Sequence, residues 1–211
     1  MNEEHLLAIA FKEEGISPKH RASIRRYLEI LRTRSKATYH HSLRVGLLAR
    51  EIAKHANISG VEPKALLWAG LLHDAGKALI DPALLEKTGA FTEADFKEME
   101  PHAEYGWRLL QGIHEHTAHI IVRHHRFGPH PYPKKLPPLP AYAEARRDVI
   151  EASARLLALA DYYDALTTRK NDKFKRTLTA REKREKYLKD NADQRELILR
   201  LENEGVLNFS A

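Results

Sequence analysis

Nearly every segment of this chain repeats its apolar residues at helical spacing, and that pattern constrains the fold more than any other feature. "SPKHRASIRRYLEILRTR" opens with Ser17 as an N-cap and Pro18 at the first helical position, and it sets Ile24, Leu28 and Leu31 on one face. "HSLRVGLLAREIAKHA" carries a broad apolar face through Leu43, Val45, Leu47, Leu48 and Ile52. "EPKALLWAGLLHDAG" starts near Pro63, and Gly76 reads as its C-terminal stop. Asp81 caps a short turn in "DPALLEK", and Thr92 caps "EADFKEM" with Asp95 at the third helical position. "PHAEYGWRLLQGI", "HTAHIIVRHH" and the long "EARRDVIEASARLLALADYYDALTT" follow, and two polar helices close the chain. One stretch, "RFGPHPYPKKLPPLPAY", holds most of the prolines and cannot be a helix, so it reads as a long loop. No segment alternates as a strand does. The expected fold is all-α, a single irregular bundle.

At 211 residues the chain is long enough for one sizeable domain and short for two. No apolar run approaches the roughly 20 residues that span a bilayer. The start "MNEEHLLAIAFKEE" lacks a basic segment followed by an apolar one, which sets the expectation of a cytoplasmic protein without a signal peptide. Cysteine is absent, so disulfides, thiolate zinc sites and cysteine nucleophiles are excluded. A metal site here has to use imidazole and carboxylate, donors that suit Fe, Mn, Ni, Co or Zn. The 13 histidines supply enough of them. The net charge of +6 fits an anionic partner and a merely charge-rich surface equally well.

Chemistry concentrates in "LLHDAGK", where His73, Asp74 and Lys77 interrupt an apolar run. Charge without a partner is costly in a core, so something must meet these groups. Adjacent residues of a helix diverge by about 100°, so His73 and Asp74 flank a site from two sides, and Lys77 overhangs it one turn later. Asp161 lies on an otherwise apolar helix face, where a metal ion would satisfy it. His102 stands near a helix start, and His124 and His125 precede the proline loop. His41 is preferred to His40 because Arg44, Leu48 and Ile52 continue its face. Asp164 reads as a structural hydrogen-bonding residue. His5, His20, His55, His114, His116, His119 and His130 are read as packing or surface residues, the usual role of a lone histidine.

Taken together, "HSLRV", "LLHDAGK", "DPALLEKTGAFTEADFKEMEPHAEYG", "VRHHRFGPHPYP" and "ALADYYDALTT" resemble the HD-domain metal-dependent phosphohydrolases, and more narrowly the HD-GYP branch, over roughly 38–169. The resemblance implies one metal held by His41, His73, Asp74 and Asp161. A second would be held by His102, His124 and His125, with Asp74 bridging the two. It makes Asp74 and Lys77 the catalytic pair, with Lys77 facing a phosphate oxygen. The glycine of the GYP motif is Pro131 here, Arg126 follows the histidine pair in place of an acidic residue, and Ala37 stands where some members carry a glutamate linked to a third metal.

The expected protein is therefore one domain: N-terminal helices (1–36) packed on an HD core (37–170), and C-terminal polar helices (171–211) belonging to the same unit. The expected activity is hydrolysis of a phosphate mono- or diester of a nucleotide or cyclic dinucleotide, through a hydroxide bridging two divalent metal ions. Arg44, Lys77, Tyr132 and Arg169 are the candidate substrate contacts; Tyr132 would stack on a base. The competing expectation is a catalytically weak module that senses a nucleotide or docks a protein through the proline loop. A nucleic-acid partner is disfavoured, because the basic run "FKRTLTAREKREKYLK" interleaves acidic residues; a homodimer is compatible with the sequence.

Overall fold

The computed structural model describes residues 2–168 and 177–210. Among them there is no strand, and the all-α expectation holds. In chain order the helices are α1 (Glu3–Glu13), α2 (Pro18–Arg34), α3 (Lys36–Ala56), α4 (Pro63–Leu72), α5 (Pro82–Leu85), α6 (Glu93–Met99), α7 (His102–Leu110), α8 (Glu115–Ile121), α9 (Ala141–Glu144), α10 (Arg147–Thr168), α11 (Ala180–Asp190) and α12 (Arg195–Asn203). The caps follow the side-chain chemistry. Ser17 accepts the His20 N–H, Ser35 accepts that of Thr38, and Asp81 accepts that of Ala83. Thr92 with Asp95, and Thr179 with Glu182, form reciprocal capping boxes.

Helix α3 is the axis of the molecule. It packs against α4 and α10 and also against α1 and α2. Leu43, Val45, Ala49 and Ile52 of α3 are buried against Leu66, Leu67 and Leu71 of α4 and Leu156, Leu157 and Leu159 of α10. Each such leucine contributes roughly 1.5–3 kcal/mol on burial. Helices α3 and α4 approach closely enough that a side chain cannot fit between them: a Cβ on Gly70 would lie 2.5 Å from Gly46 Cα. This contact sets the His41 end of α3 beside His73.

Helix α1 runs along α3, from Glu3 beside His40 and Arg44 to Glu13 and Glu14 paired with Arg50. Helix α11 packs on α10, where the buried Tyr187 hydroxyl donates to Leu159 O at 2.9 Å, and Arg155 pairs with Asp193 at 2.7 Å. No helix among the described residues is long and apolar enough to cross a membrane.

Three helix boundaries differ from the sequence reading. Helix α4 ends at Leu72 rather than at Gly76, because Asp74 leaves helical geometry (ψ 8°) and the chain tightens into a 3-10 turn over Ala75–Leu79. Gly76 is not a cap; it is where that turn presses on α7, and a Cβ there would lie 1.9 Å from His102 O. Helix α8 stops at Ile121, so the histidine pair sits in a second 3-10 turn, His124–Phe127. The long helix α10 begins at Arg147, after the separate short α9. The proline-rich stretch is irregular over 128–140, as expected of it.

Candidate metal centre

Four helices and two 3-10 turns deliver the candidate residues to one place. His41 comes from α3, His73 and Asp74 from the junction after α4, His102 from the first residue of α7, His124 and His125 from the turn after α8, and Asp161 from α10. His41, His73, Asp74, His102 and His124 are buried. Donor atoms of His41, His73 and Asp74 lie within 4.8 Å of one another, as do those of His73, His124 and Asp161, and those of His102, His124 and His125. Asp74 links the groups: Oδ2 is 3.4 Å from His73 Nε2 and 3.7 Å from His41 Nε2, and Oδ1 is 3.5 Å from His102 Nε2.

The tautomers are fixed from behind. His73, His102 and His124 each direct Nδ1 at the backbone carbonyl three residues earlier: Gly70 at 2.8 Å, Met99 at 2.7 Å and Ile121 at 2.5 Å. His41 Nδ1 meets the Asp164 carboxylate at 2.7 Å. A carbonyl or carboxylate only accepts, so each Nδ1 carries the proton, and the neutral rings of His102 and His124 turn an Nε2 lone pair inward. The Nε2 atoms of His102 and His124 are buried with no hydrogen-bond partner, and His41 Nε2 faces His73 Nε2 at 3.2 Å and Asp161 Oδ1 at 3.0 Å. Lone pairs facing lone pairs and carboxylates is an arrangement that a cation satisfies. Imidazoles oriented by outer hydrogen bonds are how proteins prepare metal ligands. The residues present therefore fit divalent cations with N and O preference.

The electrostatics agree. Burial, with added repulsion from Lys77, pushes His102 down to about 3. Burial and the neighbouring His73 push His124 down to about 4, and burial with His124 and His102 carries His125 well below the imidazole range. These rings stay unprotonated at neutral pH. Burial opposes charge on His73, yet the Asp74 and Asp161 carboxylates override it and raise its value. Burial likewise opposes ionised Asp74, but His73 and Lys77 hold it well below the carboxylate range. The centre wants positive charge among its carboxylates.

The remaining candidates are placed as follows. Lys77 Nζ lies 2.6 Å from Asp74 Oδ2, because the 3-10 turn eclipses residues three apart. Tyr132 stacks on His125 with ring centres 4.4 Å apart and stands edge-on to His102 at 6.0 Å. Arg44 does not face the centre: its guanidinium grips both oxygens of Asp164 and reaches Glu3. Arg169 lies outside the described residues. His40 points away and pairs with Glu3. Sequence reasoning missed the three backbone acceptors and Glu3. The carbonyls leave no mark in a sequence, because every residue has one three positions before it.

The family model for the HD domain matches residues 38–166, more than half of the chain and a span that contains every candidate ligand. The chain belongs to the HD-domain family. This HD domain is 32% identical over 142 residues to a cyclic di-GMP phosphodiesterase of Thermotoga maritima, covering 65% of the chain and 36% of that protein. It is 30% identical over 169 residues to a cyclic di-GMP phosphodiesterase response regulator of Xanthomonas campestris pv. campestris, covering 78% and 42%. It is 29% identical over 145 residues to a 3'3'-cGAMP-specific phosphodiesterase of Vibrio cholerae, covering 66% and 26%. The chain thus spans less than half the length of these relatives, and their activities agree with the likeness to the HD-GYP branch.

Proposed function

We propose that this HD domain is a metal-dependent phosphohydrolase that cleaves a phosphodiester of a cyclic dinucleotide, with His41, His73, Asp74 and Asp161 holding one divalent ion and His102, His124 and His125, with Asp74, holding a second. The observation that carries the reading is the set of inward Nε2 lone pairs converging on Asp74, each with Nδ1 committed elsewhere. The relatives supply the substrate class. Bound there, the ions supply Lewis-acid activation of water and neutralise charge on the phosphoryl oxygens.

The protein's own groups do the rest. Asp74, buried and held ionised by His73 and Lys77, presents one oxygen to each side of the centre. Lys77 brings a fixed positive charge where negative charge grows on phosphorus, a contribution that needs no proton transfer. The buried imidazoles keep bulk water from weakening that field. Tyr132 offers a ring at the His102–His125 side, placed for a base to stack on or to displace. Arg44 serves in this reading as a support for Asp164 and not as a substrate contact.

The test is hydrolysis of an aryl phosphate diester and of cyclic dinucleotides by Mn²⁺-loaded protein. The expected result is turnover that a chelator abolishes and that Asp74→Ala lowers by at least about 100-fold. Tight nucleotide binding without turnover would favour the sensing module instead. One feature leans toward it: Arg126 donates to Pro133 O at 2.8 Å and pins the proline loop with Tyr132 over His125.

A further inference from the structure

Helix α1 lies outside the segment that the HD-domain model matches, yet one line of contacts joins it to the centre. Glu3 Oε1 accepts from Arg44 Nη1 at 3.2 Å. Arg44 turns its other donors on Asp164, Nε to Oδ1 at 2.6 Å and Nη2 to Oδ2 at 3.0 Å. Asp164 Oδ2 accepts the Nδ1 proton of His41 at 2.7 Å. His41 Nε2 then points at Asp74, Asp161 and His73. We propose that Glu3 is a positioning residue for the metal centre, fixing the orientation and donor strength of His41 through Arg44 and Asp164. The proposal rests on the metal-centre reading above.

Two physical effects support it. The first is geometric. The Arg44 fork holds both oxygens of Asp164 in one plane, which a point charge does not do. Glu3 occupies the remaining edge of that guanidinium, so the fork cannot swing out to solvent and take Asp164 with it. The second is electrostatic. A carboxylate on the far nitrogen of a ligating imidazole strengthens it as a donor. A guanidinium on that carboxylate draws some of the charge away, and a second carboxylate on the guanidinium offsets the loss. Charges therefore alternate along the line from α1 to the centre.

Neither side chain of the outer pair is fully exposed, at 34% for Arg44 and 27% for Glu3. A pair of this kind adds little to overall stability. Its effect belongs at the centre and not in the melting temperature. Glu3 has a second contact, its Oε2 with His40 Nδ1 at 2.5 Å, and α1 has an independent anchor in Glu14 with Arg50 at 2.6 Å. These provide the controls.

The full chain, stripped by chelation, is titrated with Co²⁺ and followed by visible absorption. Glu3→Gln is expected to weaken Co²⁺ binding about 3- to 10-fold and to shift the absorption bands, less than the 10–100-fold typical of a direct partner of a ligand. Arg44→Lys is expected to behave alike. Glu14→Gln and His40→Ala are expected to bind Co²⁺ as the unaltered protein does. Wild-type affinity and spectrum for Glu3→Gln would overturn the proposal. So would equal weakening by Glu14→Gln, which would mean that α1 acts by packing alone. An unaltered protein that takes up no Co²⁺ is a separate result, and it would overturn the metal centre along with this extension.

Discussion

At the scale of single residues, the centre is a problem of unsatisfied acceptors. Five imidazoles and two carboxylates face inward, and Lys77 alone cannot meet them. Removing a support should therefore cost twice. Asp164→Ala leaves the buried His41 Nδ1 proton and the Arg44 guanidinium without their shared partner, which costs about 3 kcal/mol in chemical unfolding and roughly 10–100-fold in metal affinity. The histidines also set a pH response of the metal-free protein. An unfolded imidazole titrates near 6.5, whereas His124 and His102 titrate at about 4 and about 3 in the fold. The unfolded chain thus binds more protons between those values, so stability from these rings is complete above about 6.5 and falls as pH drops toward 4. His73, whose value is raised, works in the opposite sense. Thermal melts of chelated protein from pH 7.5 to 4 should show the net loss, and His102→Gln/His124→Gln should reduce it, with His125, also held low, keeping part of it.

At the scale of elements, two 3-10 turns and one glycine contact decide where the ligands stand. Gly76→Ala pushes a methyl group into the His102 carbonyl, so it should cost about 3 kcal/mol and also loosen the centre, read as a lower melting temperature together with weaker Co²⁺ binding. Helix α6 behaves differently. It buries none of its residues and is held by the Thr92–Asp95 box. Thr92→Ala removes a cap worth about 1 kcal/mol, and the loss should appear as faster amide exchange within α6 with little change in the global melt. The element scale also shows what a sequence can carry. Caps at Ser17, Asp81 and Thr92 were legible because a side chain makes each of them. The ends of α4 and α8 were not, because apolar periodicity runs on through His73 and Val122 while the backbone tightens. The stop expected at Gly76 is a close-approach glycine, which a sequence does not distinguish from a cap. Arg44 was legible as a neighbour of His41 but not as the partner of Asp164, since that contact spans 120 positions.

At the scale of the whole molecule, the basic balance does not gather into a free cationic face on α11. Arg184 is paired bidentately with Glu202, Arg181 with Glu185 and Lys186 with Asp190, and Lys183 donates to Thr167 O. Duplex DNA binding should accordingly be weak, and Lys183→Ala/Arg184→Ala should leave its dependence on salt unchanged. The fold brings α3, the α4 junction, α7, the turn after α8 and α10 to one point, and the metal centre depends on that convergence. Its most direct test is elemental analysis of protein loaded with Mn²⁺ or Fe²⁺ and freed of excess metal. Close to two ions per chain are expected, with most of them lost in Asp74→Ala, whose carboxylate serves both sides. A chain that retains no stoichiometric metal under any loading condition, or an Asp74→Ala variant that retains the full amount, would contradict it.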